Sequence, residues 1–410
     1  MIDFHDMKRI LIYLILSLAA AGALLTSCSD DSPTVNLGID DVYYVSRMKK
    51  LRLESALTGS AYRWTLVYPD GTTEEVGDGP SYIFMQPEEG TYTVRFEIID
   101  GATPLIYDFT VVVTHEEVEY SPWISKVYEY CPAPGQFVNT MPEYEDGDTY
   151  ADMVRKAGEC ISGKNDVLIS LGGYGGYVTF GFDHTVANVK GQKDFRLRGN
   201  AVYQGGNADL RAGSAEPGVV MVSYDTNMNG LPDDEWYELA GSEYYKADTR
   251  HKYTITYIRP DPAKEPVTDP RKPLMTDLTY ISWIDSDGTT GYIPKITYHT
   301  QDYYPKWVEE ESLTFIGTCM PSNVTDLSTE GSKLFLLRCF DWGYADNHPN
   351  DCDDLNSFDI SWAVDADGNP VDLPGADFVR VYTGLNQVCD WLGETSTEIC
   401  RGQDLHISAE

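Results

Sequence analysis

The sequence predicts a mainly β protein, with a small β-sandwich followed by a larger β-sandwich domain that carries one short helix. Three observations predict it. Apolar and polar residues alternate with period two in segment after segment, as in Tyr62–Tyr68 and Glu89–Ile98, and that period gives a strand one inward face. Clusters of Gly, Asn, Asp and Pro separate the segments, and these are the residues that turns require. Beyond Gly163 no stretch keeps the period of a long amphipathic helix, which leaves sheets to build the core. With 410 residues, two domains are expected.

Composition narrows the partners. The formal net charge is −35 and the chain holds 29 tyrosines. Such acidity excludes nucleic acid and anionic lipid surfaces as partners, because both carry the same sign, and it favours divalent cations. The tyrosines read either as half-exposed strand residues or as a rim of rings around a sugar or a flat organic ligand.

The first element, residues 1–27, reads as a targeting segment and is left out of the fold. Lys8 and Arg9 precede the apolar run Ile10–Leu25, which ends in Leu25-Thr26-Ser27-Cys28. This ending resembles the lipobox of bacterial lipoproteins, which implies cleavage before Cys28 and lipidation of its thiol. Ser29-Asp30-Asp31 resembles the surface-export signal of Bacteroidetes lipoproteins. Together they imply a location on the outer face of the outer membrane, held by acyl chains alone. Seven cysteines follow Cys28. Export permits disulfides, but spacing does not reveal a pairing, and no CxxC suggests a zinc or thioredoxin site.

Residues 28–37 form an acidic tether, and 38–119 the small β-domain. Tyr62-Arg63-Trp64-Thr65-Leu66-Val67-Tyr68 turns at Pro69-Asp70-Gly71, Glu89–Ile98 turns at Asp100-Gly101, and Tyr107–Val113 is a third strand. The tryptophan strand followed by Gly-Thr-Tyr-Thr-Val resembles PKD and other immunoglobulin-like domains. The resemblance implies a sandwich with Trp64 in its core and a spacer role.

Residues 120–410 form the larger domain. Asp148–Ile161 is its helix, with Tyr150, Met153, Val154, Ala157 and Ile161 near one face and Gly163 to end it. Val167–Leu171 is a buried type of strand. The glycines of Gly172-Gly173-Tyr174-Gly175-Gly176 precede another strand and not a helix, so they point to a hairpin or a close backbone contact rather than a phosphate cradle. Later strands include Asp194–Asn200 and Phe378–Tyr382, and the proline-rich loop Pro260–Pro273 splits the strands of 251–299. This pattern is that of a jelly-roll-like β-sandwich.

One loop stands out. Val219–Tyr224 runs into Asp225-Thr226-Asn227-Met228-Asn229-Gly230-Leu231-Pro232-Asp233-Asp234-Glu235. Oxygen-bearing side chains at positions one, three and five, then glycine, gather ligands around a hard cation. The candidate calcium ligands are Asp225, Asn227, Asn229, the Leu231 carbonyl, Asp233 and Glu235. Trp236 stands where an EF-hand has its bidentate glutamate, so any Ca2+ is structural. The plainer alternative is a hydrogen-bonded Asx turn. Asp285-Ser286-Asp287-Gly288 and Asp365-Ala366-Asp367-Gly368 echo each other and read as hairpin turns or as further cation loops.

Several pieces carry a family resemblance: Leu171-Gly172-Gly173, Asp194-Phe195, Glu216-Pro217-Gly218 before Val-x-Val-Ser, Asp365-Ala366-Asp367-Gly368 and Asp377–Tyr382. With the lipobox and an immunoglobulin-like front domain, the chain resembles the BtuH-type vitamin B12-binding surface proteins of gut Bacteroidetes. The resemblance implies a protein that captures cobalamin beside an outer-membrane transporter. No HExxH or GxSxG is present, and 65 acidic residues make carboxylate pairs uninformative. The chain is therefore expected not to be an enzyme. The alternative is a glycan-binding or glycan-degrading surface lipoprotein. Either ligand would use loop aromatics, with Trp236, Tyr303, Tyr304, Trp307, Trp342 and Tyr344 as candidates. For cobalt, His184 or His348 is the candidate axial ligand, against the plainer reading of a hydrogen-bonded histidine.

Overall fold

The computed structural model describes residues 37–68, 71–101, 103–116, 118–330 and 332–408. The leader, Cys28 and the tether up to residue 36 lie outside the described residues. The protein is mainly β. Seven sheets and one α-helix are present among the described residues, and every sheet has a linear strand order.

Alternation in the first segments builds a sheet of five strands. Their order is Val42–Ser46, Leu105–Thr114, Gly90–Ile99, Ala61–Val67, Thr73–Gly77. Val42–Ser46 runs parallel to Leu105–Thr114, from Val42↔Thr110 to Ser46↔Thr114. Leu51–Glu54 pairs with Ser81–Phe84 as a second sheet, and Leu53 and Phe84 join the same core as Trp64, Val94, Phe96 and Val111. Trp64 is fully buried. Its indole packs 4.2 Å from the Phe96 ring, and its N–H donates to the Gly79 carbonyl at 2.9 Å. A buried indole needs both an apolar bed and one acceptor.

A second core begins at Ile124. It lies against a six-stranded sheet ordered Ala363–Val364, Trp236–Leu239, Gly218–Ser223, Gly375–Thr383, Tyr177–Ala187, Lys126–Cys131. The helix Tyr150–Ile161 closes this core with Met153, Ala157 and Ile161. Thr149 caps it through a reciprocal pair with Asp152, which satisfies two N–H groups that would otherwise be orphaned. The cap starts the helix two residues later than the apolar pattern suggests. It also leaves Tyr150 43% exposed, off the buried face.

A four-stranded sheet ordered Thr290–Ile296, Met275–Asp285, Arg250–Ile258, Ser312–Cys319 packs its own aromatic core of Tyr174, Tyr253, Tyr257 and Tyr303. The Gly172–Gly176 run meets the chain at Pro132–Gly135. A Cβ on Gly172, at φ +69°, would stand 1.9 Å from the Ala133 oxygen. The run is thus a close backbone contact. All seven described cysteines are free thiols.

Candidate functional site

Each aromatic candidate has a definite place, and it is mostly not on an exposed loop. Tyr303 is fully buried, Tyr304 and Tyr344 nearly so, and Trp307 is 9% exposed. The Tyr303 and Tyr304 hydroxyls donate to the carbonyls of His299 and Glu310. Tyr344 accepts from the Glu243 N–H, and Trp307 lies between Tyr130 and Tyr144. These four are core side chains, a correction to their reading as exposed ligand platforms. Trp236 is half-buried under the Arg380 guanidinium, 4.2 Å from its ring. Trp342 is exposed and packs on Trp362. His184 bonds Asp183 and Asp404 through its two nitrogens, and His348 meets Tyr203 and the Phe340 carbonyl. Neither offers a free nitrogen to cobalt.

The Asp225 loop is compact. Buried Asp225 accepts from the N–H groups of Asn229 (3.1 Å) and Gly230 (2.9 Å). The amides of Asn227 and Asn229 both point Nδ2 at Asp233, at 3.0–3.2 Å. Positions one, three, five and nine therefore converge. Turning the two amides over would present Oδ1 atoms to a hard cation, but only by breaking the Asx bonds those atoms now accept from the Asn229 and Leu231 N–H groups. Glu235 does not converge; it is exposed and accepts from the Tyr237 hydroxyl. Leu231 donates its N–H to Asn229 Oδ1 at 2.7 Å. Asp234 folds back on Thr226 and keeps one buried oxygen without a partner. Lys50, between Val42–Ser46 and Leu51–Glu54, reaches this loop, donating to the Asp225 carbonyl at 2.8 Å and to Asp377 at 2.9 Å. The two echo motifs are Asx turns: Asp285 accepts from Asp287 and Thr289, and Asp365 from Asp367 and Asn369.

A different site comes from residues far apart in sequence. Glu216, Asp346 and Glu398 bring carboxylate oxygens within 4.8 Å of one another. Asp346 accepts three backbone N–H bonds, from Asn200, Ala201 and Glu398. Glu398 accepts from the Ser396 hydroxyl at 2.7 Å, and Glu216 from the Ser396 N–H at 3.1 Å. Among the described residues no Lys, Arg or His lies within 4.0 Å of these three or of neighbouring Glu394. Burial, then mutual repulsion, pushes Glu398 up to about 8 and holds Glu216 well above the usual carboxylate range. Burial lifts Asp346 and Glu394 to about 7. Three carboxyls this close, with Asp346 and Glu398 buried, cannot all ionise alone; they share protons or hold a cation.

Glu216, half-buried, is among the residues that line a cleft of about 650 Å³. The walls carry Phe137, Tyr203, Tyr298, Phe335 and Trp391. Tyr298 is 63% exposed and meets Trp391 edge to face. His299 stands at the same wall, its ring 4.5 Å from Phe137, and burial lowers its pKa. Gln136 lines the cleft and donates its N–H to Glu394 at 2.6 Å. The cleft presents ring faces, apolar walls and one protonatable carboxyl, the elements that hold a large organic ligand. Sequence reading missed these residues; the only local signal was Glu216 ahead of Pro217-Gly218. No protein-family model and no curated protein matches this chain.

Proposed function

We propose that the protein is a non-enzymatic capture protein for a large organic ligand, cobalamin, held at the aromatic cleft. In this reading it is a lipoprotein anchored through Cys28 on the outer membrane, and it passes its ligand to an outer-membrane transporter. The observation that carries the reading is the cleft itself: about 650 Å³, open to solvent, with Tyr298 and Trp391 offering rings to a flat ligand. The front domain acts as spacer, and Ca2+ at Asp225, Asn227, Asn229 and Asp233 staples the edge of a strand.

The carboxyl geometry favours binding over hydrolysis. A glycosidase places two carboxyl groups about 5–9.5 Å apart on either side of the bond. Here the three carboxyls cluster, and Asp346 and Glu398 are sealed at 2% and 1% exposure. A glycan is the second reading, because a half-buried Trp391 and an exposed Tyr298 beside a carboxyl also suit a sugar face. Titrating the purified protein with cyanocobalamin, read by calorimetry, tests the first reading. Saturable binding at micromolar ligand supports it. No binding of cyanocobalamin, with binding of a neutral oligosaccharide, overturns it for the glycan.

A further inference from the structure

A second cavity, about 540 Å³, lies on the far end of the four-stranded sheet, between the proline-rich loop and the chain after Thr290–Ile296. Its charge runs against the whole molecule. Arg259, Lys264, Lys295 and Lys306 all line it, in a chain with 30 Lys and Arg against 65 Asp and Glu. A random patch of this surface would be acidic, so the collection of cations calls for a cause.

The cations are held by groups that leave their charge uncancelled. The Arg259 guanidinium stacks 4.3 Å from the Tyr304 ring and donates to the carbonyls of Val308 and Glu310. Lys295 stands 4.5 Å over the Tyr280 ring. Lys264 donates to the Thr279 carbonyl and hydroxyl. Ring faces and neutral oxygens fix a cation without neutralising it. Among the described residues none of these three has a carboxylate within 4.0 Å. Lys306 alone has one, Asp302 at 3.8 Å.

The acids of the cavity are engaged elsewhere. Asp277 accepts from the N–H groups of Val267 and Thr279, and Asp261 from that of Ala263. Asp302 accepts from the Tyr280 hydroxyl. One oxygen of each is thus directed at a wall-shaping group and the charge stays, so Arg259, Lys264, Lys295 and Lys306 outweigh Asp261, Asp277 and Asp302 by a single positive charge.

We propose that this cavity binds an oxyanion, a phosphate or sulfate group, between Arg259, Lys264, Lys295 and Lys306. Planar guanidinium and flexible ammonium groups around one space suit a tetrahedral oxyanion. The site is separate from the aromatic cleft and does not depend on what that cleft holds.

Calorimetric titration of the full chain with inorganic phosphate and with inorganic sulfate, against chloride at matched ionic strength, tests it. Saturable binding of at least one oxyanion is expected. Lys295→Gln should weaken it at least about tenfold, and Lys264→Gln with Lys306→Gln, both at exposed positions, should do the same with the melting temperature of the parent. Lys49→Gln, outside the cavity, should bind as the parent does. Glucose 6-phosphate separates the sources: tighter binding than inorganic phosphate assigns the group to an ester, and weaker binding assigns it to the free ion. No saturable oxyanion binding, or binding undiminished in both sets of variants, overturns the proposal.

Discussion

Replacing Glu398 with glutamine should stabilise the protein at pH 8 and change little at pH 5. Glu398 is 1% exposed and titrates at about 8, raised from 4.5 by burial first and by Asp346 next. Between those values the folded protein keeps a proton that the unfolded chain has released, so stability falls as pH rises through the window. At 1.36 kcal/mol per pH unit the whole loss is roughly 5 kcal/mol. Sharing the proton with Asp346, itself at about 7, leaves an expected gain of about 2–4 kcal/mol for the variant at pH 8. Glutamine keeps an acceptor for the Ser396 hydroxyl and cannot ionise. Thermal unfolding at both pH values in chelator would show a rise of roughly 5–10 °C at pH 8. A parent protein equally stable at pH 5 and pH 8, or a Glu398→Gln variant less stable at pH 8, would refute the reasoning. Added calcium restoring the parent but not the variant would place a cation at the cluster.

Tyr298→Ala and Trp391→Ala should each weaken cyanocobalamin binding at least about tenfold, with little change in melting temperature, while Trp342→Ala should bind as the parent does. Chelator should lower the melting temperature by a few degrees through ion release, and Asp225→Ala should abolish that response; an unchanged response in the variant counts against an ion there. Lys50→Met should cost about 3 kcal/mol in urea unfolding, because Asp377 is left nearly buried without its cation. A loss under about 0.5 kcal/mol would show that the clamp is not holding the two domains.

The strands were legible because one face of each is buried. Ala61–Val67 and Gly90–Ile99 lie where the alternation places them, and the helix ends at Ile161 as its apolar face predicts, although the Thr149–Asp152 cap starts it two residues later. Exposure of the aromatics was not legible. Tyr303 and Tyr304 sit in irregular chain next to Pro305, which reads as surface, yet that chain tucks under the four-stranded sheet. Their hydroxyls find carbonyl acceptors there, which removes the cost of burying them. The carboxyl cluster was invisible for another reason. Glu216, Asp346 and Glu398 come together through loops and strand ends set by long-range pairing, and a chain so rich in acids gives no spacing signal.

The parallel pairing of Val42–Ser46 with Leu105–Thr114 has a mechanical consequence. The chain enters the small domain beside Thr110 and leaves beyond Thr114, beside Ser46, so entry and exit lie at opposite ends of one strand pair. Tension transmitted along the chain would load this ladder in shear. Its slanted hydrogen bonds, lying across the pull, would then share the load instead of opening one at a time. Forced unfolding is set by the rate of crossing the barrier, and a sheared ladder keeps that barrier high. In the anchored protein proposed above, this sheet would carry tension between the anchor and the cleft without opening strand by strand.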